Sequence, residues 1–100
     1  MNLLLLKNGK VEIRTPQGSL VRTIGSGNAV QADFNADQSL VAVTTVQGKI
    51  EIRTALGSLV RTIGNGEATA VRWHGADLLI TTKKGKTELR KETGVLIRTL

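Results

Sequence analysis

Cysteine and tyrosine are absent from this sequence, and histidine, proline, phenylalanine and tryptophan occur once each. Without cysteine there is no disulfide and no thiolate chemistry, a pattern that fits a reducing compartment. His74, lacking thiols or a second imidazole, does not make a typical zinc site. A general base there would need a partner that the sequence does not supply. Long apolar runs are also missing. Leu3 to Leu6 is only four residues and lacks the charged flank of a signal peptide, so the expectation is an intracellular or cytoplasmic chain with no membrane association. With two aromatics, the core must come from Val, Leu, Ile and Ala.

Chemistry-bearing motifs are equally scarce. Asp33, Asp37, Glu67 and Asp77 show neither calcium-loop spacing nor a paired-carboxylate arrangement. Gly25-x-Gly27 and Gly64-x-Gly66 lack the third glycine and the following helix of a phosphate loop, and read as flexible hinges. No serine sits in a nucleophile elbow. The expectation is a protein without catalytic residues, metal or cofactor.

What the sequence does have is repetition. GKVEIRTPQGSLVRTIGSG at 9–27 returns as GKIEIRTALGSLVRTIGNG at 48–66, and more loosely as GKTELRKETGVLIRTL at 85–100. The complete middle unit divides into four segments rich in Val, Ile and Thr: AVQADF (29–34), LVAVTT (40–45), KIEIRT (49–54) and SLVRTI (58–63). Each is bounded by turn residues, and no window carries a helical period. The chain is all-β. It forms a single repeat domain, with a partial unit at 1–25 and full units at 26–64 and 65–100, and the first unit begins one strand late.

Asn8-Gly9, Gln47-Gly48 and Lys84-Gly85 occupy the same place in each copy and predict tight two-residue hairpins. If the following turn centres on Gln17, Glu12 faces Arg22, and the same register sets Glu51 opposite Arg61 and Glu88 opposite Arg98.

Repeats of this length with four strands suit β-propellers, β-trefoils and three-sheet prisms. The middle unit resembles a blade of the WD-repeat and related β-propellers. Its first strand ends in Phe34, followed by the turn Asn35-Ala36-Asp37, a β-branched strand, a glycine turn, then KIEIRT and SLVRTI. Arg14, Arg53 and Arg90 stand where that family has the Trp of its Trp-Asp pair, and no Gly-His pair opens a unit, so the hydrogen-bond network of those residues is not implied. The resemblance implies four-stranded antiparallel propeller blades, about three per chain. The alternative is a β-prism or β-trefoil closed within one chain, for which the lectin spacings Gln-x-Trp and Gln-Asp-Asn-Val-Tyr are absent.

Propellers need about four to eight blades to close. Three blades therefore point to a ring completed by homo-oligomerisation. A homodimer with six blades is preferred over a homotrimer with nine.

The net charge is +6, concentrated in the first and third copies. KKGKTELRK gathers Lys83, Lys84, Lys86, Arg90 and Lys91 on and beside one hairpin, a candidate anion-binding set. Lysines also blunt exposed strand edges, which is the plainer use of such residues. The functional expectation is a non-enzymatic structural or protein-interaction scaffold, with a nucleic-acid or polyanion-binding module and a small multivalent lectin as alternatives.

Overall fold

The computed structural model describes residues 1–64 and 66–100; Asn65, in the second Gly-x-Gly linker, lies outside the described residues. Eleven strands are described: β1 Leu3–Lys7, β2 Lys10–Arg14, β3 Leu20–Ile24, β4 Ala29–Phe34, β5 Leu40–Thr45, β6 Ile50–Thr54, β7 Leu59–Ile63, β8 Ala68–His74, β9 Asp77–Thr82, β10 Thr87–Lys91 and β11 Leu96–Thr99. They form three antiparallel meanders: β1 to β3, then β4 to β7, then β8 to β11. The middle unit's four expected segments are β4 to β7, with β6 and β7 each starting one residue later than expected. None of the described residues is helical, so no helix is long and apolar enough to cross a membrane.

The sheets stack in chain order, and one apolar cluster fills each gap. Between the first and second sheets lie Val11, Ile13 and Ile24 against Ala29, Val41 and Val43, with Leu4, Ala32 and Phe34 packed beside them. Between the second and third lie Ala42, Ile50 and Ile52 against Ala68, Val71, Leu78 and Ile80, joined by Ile63 and Trp73. Burying such aliphatic side chains stabilises by about 1.5–3 kcal/mol each. Strand pleating explains the sequence pattern. In β5, Val41 and Val43 face the first sheet while Ala42 faces the third, so the strand is buried on both sides and reads as a continuous apolar run. Packing between strands of different sheets joins neighbouring sheets, in an open arc rather than a closure of three units on themselves.

Two expected registers are corrected. Glu12 sits opposite Thr23, and Arg22 opposite Ile13. A bulge between Ile13 and Arg14 in the pairing absorbs one residue of β3, so the ladder is offset by one from a turn centred on Gln17. The bulge recurs at Ile52/Arg53 and at Leu89/Arg90. The predicted Glu–Arg cross-strand pairs therefore do not form. The two-residue hairpin holds only at Asn8-Gly9, where Lys7 pairs Lys10 and both turn residues have positive φ (53° and 78°). In the other copies, Thr45 N–H donates to Lys49 O and Thr82 N–H to Lys86 O, closing three-residue turns. Asparagine tolerates the left-handed region better than glutamine or lysine, so only the first copy makes the tighter turn.

The expected hinges are pinned. Ala29 N–H donates to Gly9 O and Ala68 N–H to Gly48 O, each at 2.8 Å. A Cβ at Gly9 would collide with the carbonyl of Gly27, and one at Gly48 with that of Gly66. Backbone thus touches backbone at each described corner between sheets.

Candidate functional site

The basic residues singled out in the sequence do not stay together. Lys83, Lys84 and Lys86 are exposed on the β9–β10 turn. Lys91 is exposed at the opposite end of β10, one strand length away. Arg90 is drawn into an ion pair: its Nε lies 2.9 Å from Glu88 Oε1, and its Nη1 donates to Gly94 O at 2.7 Å.

That Arg90 arrangement is one of three. Arg14 Nε meets Glu12 at 2.9 Å and Arg14 Nη1 donates to Gly18 O at 2.7 Å. Arg53 does the same with Glu51 at 2.9 Å and Gly57 O at 2.8 Å. In a strand, residues two apart share a face, so Glu-x-Arg in every copy is the signal that sequence reasoning passed over. Each arginine clamps its own outer hairpin.

A second recurring set joins one sheet to the next. Arg22 Nη1 donates to Leu56 O at 3.2 Å, in the β6–β7 turn. Ile24 lies over Gly57, its Cγ2 3.0 Å from where a Cβ would stand. One repeat on, Arg61 Nε lies 3.2 Å from Glu92 Oε2 in the β10–β11 turn, and Ile63 lies over Gly94. The Arg61–Glu92 contact is an ion pair by distance only, since the buried Nε–H finds no well-aligned acceptor. The inner strands are joined as well. Gln31 Oε1 accepts from Val71 N–H at 2.8 Å, Asp33 Oδ2 from Trp73 N–H at 3.0 Å, and Asp33 O from the Trp73 indole at 3.1 Å.

The two ends of the arc carry unmatched halves of this junction. On the third sheet, Thr87, Leu89 and Leu100 hold the positions of Ile50, Ile52 and Ile63; Leu89 is half-buried and Leu100 is 67% exposed. Arg98 stands where Arg22 and Arg61 stand, and nothing lies within 4 Å of a Cβ built on Gly18, the counterpart of Gly57 and Gly94. On the first sheet, Leu3 and Leu5 hold the register positions of the buried Val41 and Val43, and both are 47% exposed. The end sheets thus expose apolar positions whose counterparts inside the arc are buried.

Elsewhere the chemistry is sparse. A polar cleft of about 290 Å³ is lined by Asn28, Thr45, Gln47, Lys49, Glu51 and Thr62, with Glu51 already engaged by Arg53. Among the described residues no group of three His, Cys, Asp or Glu is placed to hold a metal ion. His74 is exposed at the end of β8, beside a glycine turn. Asp37 accepts from the Ser39 hydroxyl at 2.6 Å and from its N–H at 3.0 Å, and these bonds hold its carboxyl below the usual range.

No protein-family model matches the sequence, and no curated protein matches it. Among solved structures, the chain is similar to BamB from Moraxella catarrhalis, a β-propeller, with a TM-score of 0.79 at 13% identity. The match covers 99% of this chain and 32% of that one, so the chain spans about a third of the BamB structure. At that identity the likeness shows the fold: three consecutive sheets arranged as propeller blades.

Proposed function

We propose that the chain is a non-enzymatic, self-assembling propeller unit whose ring is completed by a second copy, and whose loops and central channel serve as a protein-interaction surface. The carrying observation is the junction itself. It occurs twice inside the chain, and both halves of a third occurrence stand open at the two ends of the arc. Docking the third sheet of one copy on the first sheet of another would set Leu100 over Gly18, and Arg98 against the carbonyls of the Pro16-Gln17-Gly18 turn. Two such junctions close a six-blade ring of two chains, within the range that propellers adopt.

The test is the mass in solution by light scattering or native mass spectrometry. A dimer of twice the 10.7 kDa chain is expected at micromolar concentration. The dimer should dissociate on Leu100→Asp or Leu3→Asp, both exposed positions where the single chain tolerates a charge. A stable monomer, or a trimer, overturns the two-copy ring.

One observation favours a second reading, polyanion binding: Lys83, Lys84 and Lys86 are exposed and take part in no ion pair among the described residues. In a two-copy ring this turn would recur on opposite sides. Salt-dependent retention on an oligonucleotide column is the expected behaviour, lost when all three are changed to Glu. Retention that survives the triple change removes this reading.

A further inference from the structure

The first sheet holds three strands where the other two hold four, and its free edge is β1. Lys7 and Lys10 flank a two-residue turn and form a hydrogen-bonded pair, so the backbone groups of Leu3, Leu5 and Lys7 face β2. Those of Asn2, Leu4 and Leu6 consequently face the open edge. The structure confirms this at one end, where the Gln38 side-chain amide accepts from Asn2 N–H at 3.0 Å and donates to Asn2 O at 2.9 Å. A primary amide there pairs the edge as another strand's peptide group would. Leu4 and Leu6 have no such partner among the described residues.

The neighbouring inner strand is open in a complementary way. In β8, Val71 N–H and Trp73 N–H are capped by the side chains of Gln31 and Asp33 from the preceding inner strand. Their counterparts in β4 are Ala32 N–H and Phe34 N–H, which by the same parity point away from β5 and have no acceptor among the described residues. A third loose end lies on the last sheet. Gly9 O and Gly48 O each receive a bond from the first residue of an inner strand, while a Cβ on Gly85, their counterpart, would meet nothing within 4 Å.

We infer that the free edge of β1 is an acceptor slot for an extended peptide segment bearing hydrogen-bond-accepting side chains at two alternate positions, with small and aromatic apolar residues at the positions between. The backbone of the two acceptor residues pairs with Leu6 and Leu4. Their side chains turn toward the second sheet and cap Ala32 N–H and Phe34 N–H. The interleaved apolar residues turn the other way, to be covered by the third sheet of a second copy, and the segment's first N–H reaches that copy's Gly85 O. The pattern is that of Gln31-Ala32-Asp33-Phe34 in β4. Strand addition of this kind takes affinity from main-chain bonds and specificity from alternate side chains. The full seating of the segment rests on the ring proposed above, whereas pairing with β1 does not.

The probe is a synthetic peptide with the sequence of residues 27–37, added to the isotope-labelled 100-residue chain, with amide exchange read by NMR and mass measured in parallel. Saturable binding is expected, with slowed exchange at Leu4, Leu6, Ala32 and Phe34. Methylating the peptide's backbone nitrogens at Gln31 and Asp33 should abolish protection at Leu4 and Leu6. The peptide carrying Gln31→Ala and Asp33→Ala should bind about tenfold more weakly and leave Ala32 and Phe34 unprotected. The absence of saturable binding, equal binding by the methylated peptide, or protection elsewhere overturns the slot. Binding to a chain that stays monomeric upholds the slot and removes the ring, while a dimer that ignores the peptide does the reverse.

Discussion

At the scale of single residues, the half-buried arginine clamps carry more weight than ordinary surface ion pairs. Arg53 and Glu51 are 15% and 14% exposed, and the guanidinium also holds a turn carbonyl. Arg53→Ala leaves Glu51 and Gly57 O without their donor, and a loss of about 1–3 kcal/mol by urea denaturation is expected. Arg53→Lys should recover little, because an ammonium cannot span both acceptors in the fork geometry. Gly48→Ala forces a methyl against backbone at positive φ, whereas Gly85→Ala meets open space and bears only the φ strain. Thermal melts should lower the midpoint clearly more for Gly48→Ala, with Gly85→Ala costing on the order of 1 kcal/mol. Asp37 gives a pH signature of known sign. Its carboxyl is held below the ordinary value of 3.8, so its contribution is present above that value and lost as pH falls through the folded-state pKa. Asp37→Asn should flatten the acid limb of a stability–pH curve slightly and leave neutral pH nearly unchanged, as suits an exposed group.

At the scale of elements, equal positions in different sheets have unequal burial. Ile52 is enclosed between two sheets, while its counterpart Leu89 faces outward from the third. Ile52→Ala should cost about 2–5 kcal/mol in any state of assembly. Leu89→Ala should cost much less in a dilute chain and more at concentrations where copies associate, a difference that denaturation at two protein concentrations will read. The strands themselves are legible: β-branched runs give β4 and β5 to the residue, with Asn28 and Asn35 flanking the first and Ser39 opening the second. The hairpin registers were not. A bulge leaves no mark in composition, so a turn centred on Gln17 sets Glu12 opposite Arg22, whereas Glu12 lies opposite Thr23 and its ion-pair partner is Arg14. The loop after β5 depends on whether Gln47 accepts positive φ, a single-residue preference that an X-Gly motif hides. Of the candidate anion site, the Lys83–Lys86 turn was legible as exposed charge, and Arg90 was not, since its pairing with Glu88 follows from strand pleat rather than from charge density.

At the scale of the whole molecule, repetition made the architecture readable, because one junction written three times can be compared with itself. The likeness to BamB blades agrees with the three consecutive sheets. The same comparison exposes what local reading misses, namely that among the described residues Gly18, Leu100 and Arg98 lack the contacts across sheets that their counterparts make. In the proposed ring the copies meet head to tail, and cross-linking a cysteine placed at Gln17 to one placed at Arg98 should join two chains rather than bridge one. Intramolecular bridging would contradict the arc.

The corners where Gly9 meets Gly27 and Gly48 meets Gly66 have a bearing on how such a molecule diverges in sequence. There main chain rests on main chain, too close for any side chain larger than a hydrogen to stand between. The junction is accordingly held by backbone contact at the corner as well as by the aliphatic filling of the gap. Core side chains can be exchanged for others of similar volume at little cost, whereas one methyl group at a corner glycine presses on the backbone of the next linker and leaves divergence no room there.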